Sequence, residues 1–103
     1  MNELEKELLS NPNKLSFMNN LLKQHQFSED FLVKTRIYYD SWKCIRSQKN
    51  LSIEFCFRYL YDSEYDSADD WTDYNEIECY FLDRNYTKEY IYEIFQKVYD
   101  EEL

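Results

Sequence analysis

Leu51-Ser52-Ile53-Glu54-Phe55-Cys56-Phe57-Arg58-Tyr59-Leu60-Tyr61 is the stretch on which the fold turns. Leu51, Ile53, Phe55, Phe57, Tyr59 and Tyr61 fall on every second residue, with Ser52, Glu54, Cys56, Arg58 and Leu60 between them. Alternation of large apolar side chains with period two is the pattern of a strand that buries one face. Residues 51–61 are therefore predicted to form the spine of a sheet. Gln48-Lys49-Asn50 reads as a hairpin turn leading into it.

Downstream, alternation resumes over 76–82. Ile77, Cys79 and Phe81 are placed inward, and Glu76, Glu78 and Tyr80 on the exposed face. Upstream, residues 27–47 carry two periods at once. Ser28 followed by Glu29 and Asp30 suits a helix start, and Phe31, Thr35, Tyr38, Trp42 and Ile45 keep helical spacing. Val33, Thr35, Ile37 and Tyr39 also alternate, and β-branched side chains favour strands. The reading adopted is two strands, 31–39 and 42–47, turned at Asp40-Ser41.

Three segments read as helix. Asn2 caps residues 2–10, where Glu3 and Glu5 suit the positive end of the helix dipole. Leu15, Met18, Leu22 and His25 form a stripe over 13–25. Thr87 caps 87–102, whose apolar stripe is Tyr90, Ile91, Ile94, Phe95 and Val98. The fold class expected is α+β, as one domain over 1–103. It has two short N-terminal helices, an antiparallel sheet of three to four strands and a C-terminal helix packed on the sheet.

Composition removes several function classes. The chain has no glycine and one proline, so it has no Gly-rich loop to cradle a phosphate, and its turns must use Asn, Asp and Ser. No apolar run approaches the roughly 18–20 residues of a membrane span. The beginning, Met1-Asn2-Glu3-Leu4-Glu5-Lys6-Glu7, is acidic and has no apolar signal region. Three cysteines at irregular spacing suit a reducing compartment, so a cytoplasmic location in a bacterial host is expected. His25, the single histidine, reads as a half-buried or helix-ending imidazole. Cys44, Cys56, Cys79 and His25 lack zinc-ligand spacing. No cofactor or metal is called for, and no catalytic arrangement is recognisable, so the expectation is a protein that is not an enzyme.

Charge is divided along the chain. Residues 1–61 hold nine basic and seven acidic side chains, giving +2; residues 62–103 hold three and fourteen, giving −11. The densest part is Asp62 to Asp83, with nine acids and no base. Tyr65, Trp71, Tyr74, Tyr80 and Phe81 are threaded among those acids, more aromatics than a purely solvating tail keeps. In extended chain, residues two apart stand about 6.6 Å from each other on one side. Asp62, Glu64 and Asp66 can thus form a row of charge, as can Glu76 and Glu78. Acids at positions 1, 3, 5, 9 and 12 counted from Asp62 imitate a calcium loop, but Ser67 stands where that loop has glycine and Asp73 where it has a longer Glu. The reading preferred is a surface for a basic partner. Its contacts are Asp62, Glu64, Tyr65, Asp66, Asp69, Asp70, Trp71, Asp73, Tyr74, Glu76 and Glu78, with Tyr65, Trp71 and Tyr74 as aromatic anchors. Direct nucleic-acid binding is not expected, since phosphate contacts need clustered Lys and Arg.

In size, charge, aromatic content and absence of glycine, the chain resembles the small acidic inhibitors that phages encode against host nucleases, the anti-CRISPR proteins and DNA mimics. It also resembles acidic immunity proteins and antitoxins. The first resemblance implies an inhibitor that occupies the nucleic-acid groove of a CRISPR effector or other nuclease. The alternative implies one-to-one neutralisation of a basic nuclease toxin.

Overall fold

The computed structural model describes residues 1–61 and 72–102. Within them the chain runs through α1 (Glu3–Ser10), α2 (Pro12–Leu15), α3 (Met18–Gln24), α4 (Glu29–Lys34) and a 3₁₀ turn (Arg36–Tyr38). Then come α5 (Ser41–Ser47), α6 (Ile53–Phe55), which runs directly into a π-helical turn (Cys56–Leu60), α7 (Tyr74–Leu82) and α8 (Lys88–Glu102). The described residues contain no strand beyond a single parallel bridge between Tyr61 and Thr72. The architecture is all-helical, and the expected α+β fold with its antiparallel sheet is overturned.

The 51–61 stretch shows why. Ser52 caps a helix, its hydroxyl accepting from the backbone N–H of Phe55 at 3.2 Å. Ile53, Cys56, Phe57 and Leu60 are buried at the i, i+3, i+4, i+7 spacing of a helix, and Phe55 is buried beside them. A helix enclosed on most sides need not leave a polar stripe, so exposed Ser52 and Glu54 produced the alternation. The expected strand 76–82 is α7, which buries Ile77, Tyr80 and Phe81 and turns Cys79 outward.

The expected strands 31–39 and 42–47 are α4, the 3₁₀ turn and α5. Ser28 caps α4 as its acids suggested, accepting from the Phe31 N–H at 3.3 Å. The Thr35 hydroxyl bonds back to the Phe31 carbonyl at 2.8 Å where α4 ends. The alternation in this segment does not sort inside from outside: Tyr39 is buried, whereas Ile37 is 86% exposed. Helix 13–25 is divided at Ser16 and Phe17 into α2 and α3, and His25 ends the second piece half-buried.

Two buried polar side chains tie the N-terminal half together. Asn2 and Glu5 form a reciprocal cap on α1, with hydrogen bonds of 2.9 and 3.1 Å. Glu5 is 1% exposed and also accepts from the N–H and hydroxyl of Ser28 at 2.6 and 3.0 Å. Gln48 is not in a hairpin turn. Its side chain accepts from Phe27 N–H at 2.8 Å and donates to the carbonyls of Leu22 and His25 at 3.0 and 2.9 Å. It thereby holds the α3–α4 connection against the end of α5.

The core runs from Leu8, Met18 and Leu22 through Phe31, Leu32 and Leu60 to Ile77, Phe81 and Ile91. Each such side chain contributes about 1.5–3 kcal/mol when fully buried. Between α7 and α8 the chain reverses without glycine. Asn85 takes the left-handed conformation (φ 68°), while Tyr86 N–H reaches Phe81 O and Asn85 N–H reaches Leu82 O, each at 3.1 Å. Helix α8 packs on α6, its π extension and α7 rather than on a sheet, burying Ile91, Ile94 and Val98. Tyr90, expected in that stripe, is exposed. Among the described residues no helix is long and apolar enough to cross a membrane.

Candidate functional site

The described residues of the acidic half form α7 and α8. Thr72 N–H donates to Leu60 O at 3.0 Å beside the Tyr61–Thr72 bridge, so the chain enters and leaves segment 62–71 at neighbouring points. Asp62, Glu64, Tyr65, Asp66, Asp69, Asp70 and Trp71 lie outside the described residues. Asp73, Tyr74, Glu76 and Glu78 are described, and all four belong to the start of α7.

Each of those four has a local role. Asp73 is the N-cap of α7, accepting from the Glu76 N–H at 2.8 Å. The Glu76 carboxylate accepts from Arg46 Nε at 3.0 Å, which ties α7 to α5. Glu76 and Glu78 therefore do not form the extended row expected of a strand, because residues two apart on a helix diverge. Glu78 is half-exposed and has no ion pair among the described residues.

Tyr74 is half-buried in an aromatic cluster that surrounds the point where Tyr61 meets Thr72. Its ring stacks on Phe57 at 5.7 Å and meets Phe95 edge-on at 5.1 Å. Phe95 takes Tyr61 edge-on at 5.2 Å and lies 5.1 Å from Phe57. Offset and edge-on pairs of this kind add about 0.5–1.5 kcal/mol each beyond area burial. Burial pushes the Tyr74 hydroxyl above the ordinary tyrosine range, and the nearby Glu78 carboxylate adds to it.

Sequence reasoning missed the tyrosines of α8 and its approach. Tyr92 and Tyr99 are each 51% exposed, and Tyr86 and Tyr90 are exposed as well. Tyr92, Phe95 and Tyr99 stand at i, i+3, i+7, a helical spacing that marks them as one stripe continuous with the cluster. Arg84, Asn85, Tyr86, Thr87 and Tyr90 line an open depression of about 300 Å³.

Among the bases of this half, Arg84 is spent internally. Its guanidinium lies 3.4 Å from the Tyr80 ring centroid and donates to the carbonyls of Tyr80 and Lys49. Asp83, Glu89, Glu93 and Asp100 are exposed without ion pairs among the described residues, whereas Glu101 pairs with Arg58. The outer surface of α7 and α8 thus carries several carboxylates with no ion pair among the described residues, the exposed Lys88 and Lys97, and half-exposed tyrosine rings. Among the described residues no group of three or more His, Cys, Asp or Glu converges as metal ligands. No family model, curated protein or solved structure matches this chain.

Proposed function

We propose that this protein is a non-enzymatic, anti-CRISPR-like inhibitor that acts in the cytosol of a bacterial host. Its acidic half occupies the basic nucleic-acid-binding groove of a nuclease effector and keeps nucleic acid out. The observation that carries this reading is the segregation of charge along the sequence, +2 over residues 1–61 against −11 over 62–103, beside the exposure of Tyr92 and Tyr99 on α8.

Crowded carboxylates repel one another, and a basic groove relieves that repulsion and speeds encounter. Tyrosine rings can fill pockets and lie on guanidinium planes at the centre of such an interface. In this reading Asp62, Glu64, Asp66, Asp69, Asp70 and Asp73 supply charge, and Glu78 extends it. Tyr65, Trp71 and Tyr74 anchor, and Glu76 contributes less because Arg46 already answers it.

A mobility-shift assay on purified CRISPR effectors and bacterial nucleases tests the proposal. The protein is expected to displace labelled nucleic acid from its target, and the Asp69→Asn, Asp70→Asn, Asp73→Asn variant to displace it poorly. A stable ternary complex of target, nucleic acid and this protein would refute the occlusion. Tight one-to-one binding to a small basic toxin, with no effect on any larger effector, would establish the immunity reading instead.

A further inference from the structure

Trp42 stands apart from the aromatic network. Most rings of α7 and α8 pair with one another, but Trp42 makes no ring–ring contact among the described residues. Its neighbours are cations: Lys43 Nζ lies 5.2 Å and Arg46 Cζ 4.8 Å from the ring centroid. With Lys23, from the last turn of α3, and Ser47, these residues line a cavity of about 280 Å³ between α3 and α5. Three cations and an indole in one cavity are unexpected on a chain of net charge −9.

The cations are only partly answered within the fold. Asp40 lies 3.7 Å from Lys43, and Glu76 takes the Nε hydrogen of Arg46 at 3.0 Å. Lys23 is exposed and has no ion pair among the described residues. The Ser47 hydroxyl is turned inward, donating to the Lys43 carbonyl at 2.7 Å. The cavity therefore offers ammonium and guanidinium donors beside a half-exposed indole, and no carboxylate belongs to its lining.

We propose that this cavity binds a small phosphate-bearing aromatic ligand of the nucleoside monophosphate kind. Lys23, Lys43 and the outer N–H groups of Arg46 take the phosphate through charge-assisted hydrogen bonds. The open part of the Trp42 ring takes the planar base by stacking. The volume of about 280 Å³ falls just below the roughly 300 Å³ at which ligand pockets begin, so it admits nothing larger than a mononucleotide. Salt screens the more distant carboxylates, those beyond about 8 Å at physiological ionic strength, whereas Asp40 and Glu76 lie closer and take part of the charge of Lys43 and Arg46. The inference does not rest on the partner-binding reading, although Arg46 also pairs with Glu76 of that face.

Titration of the ¹⁵N-labelled protein with AMP, adenosine and inorganic phosphate, followed at the Trp42 indole N–H, tests it. AMP is expected to shift that signal saturably, with adenosine and phosphate each weaker by about tenfold or more. The double variant Lys23→Ala, Lys43→Ala alters two side chains outside the core and is expected to keep the wild-type amide spectrum while losing AMP affinity by a similar factor. The proposal is overturned if AMP produces no saturable shift at Trp42. Equal AMP affinity in the double variant would remove the lysines from the site, and phosphate binding as tightly as AMP would remove the ring; either result defeats it.

Discussion

Arg46 Nε donates to the Glu76 carboxylate across 3.0 Å, so one acid of the proposed binding face is already neutralised from within the fold. The pair joins α5 to the first turn of α7, with the arginine side chain 65% exposed and the glutamate 29%. Exposed pairs of this kind contribute about 0–1 kcal/mol. Glu76→Gln is therefore expected to change stability by less than about 1 kcal/mol in urea denaturation. It should also weaken partner binding less than Asp69→Asn or Asp70→Asn. Arg46→Gln unmasks Glu76 and should speed association with a basic partner at low salt, read by stopped flow. Slower association of Arg46→Gln would show that the arginine itself touches the partner.

Asp73 has two separable roles, charge and cap. Asp73→Ala removes the acceptor of the Glu76 N–H and is expected to cost about 0.5–2 kcal/mol. Asn caps as well as Asp does, so Asp73→Asn should leave stability within a few tenths of a kcal/mol of wild type while still losing charge. Chemical denaturation of the two variants checks this. Equal losses for both would mean that the charge at Asp73, and not the cap, stabilises α7.

Burial pushes the Cys44 thiol up from its ordinary 9.0 to about 12, Cys56 well above its ordinary value and Tyr39 still higher than the usual tyrosine range. For such groups the stabilising contribution is complete below the unfolded-state pKa. Above it the unfolded chain gives up protons that the folded chain keeps. Stability should thus hold up to about pH 9 and fall steadily as the pH rises toward 12, followed by urea midpoints. A thiol reagent at neutral pH should modify exposed Cys79 quickly, and buried Cys44 and Cys56 only on unfolding. Rapid modification of all three would contradict the packing around Cys44.

The first and last helices were legible and the middle was not. Asn2 and Thr87 announce their helices because capping is a local hydrogen bond between near neighbours, whereas the same signal at Ser28 was outweighed by the alternation that led to strands. With no glycine available, the left-handed position after α7 falls to Asn85, but the turn read at Asp40-Ser41 is the start of α5. Among the described residues between Phe31 and Leu82 the segments are short and buried on several sides, so polar positions do not mark one face. Phe55, Cys56 and Phe57 are consecutive and all buried, which no single-faced strand allows and no sequence period reveals. Gln48 read as a turn residue because its three tertiary hydrogen bonds reach partners more than twenty residues away.

At the candidate site the sign of the charge was plain from composition. The pairing of Glu76 with Arg46 depends on how α5 meets α7, and the exposed Tyr92 and Tyr99 depend on which side of α8 is covered; neither follows from counting acids.

The most direct measurement is the affinity of the purified protein for its target as ionic strength rises, made in parallel on the Asp69→Asn, Asp70→Asn, Asp73→Asn variant. The account predicts steep weakening for the wild type, carried mainly by slower association, and a shallower slope for the variant. Affinity that persists unchanged into molar salt, or equal slopes for both proteins, would contradict it.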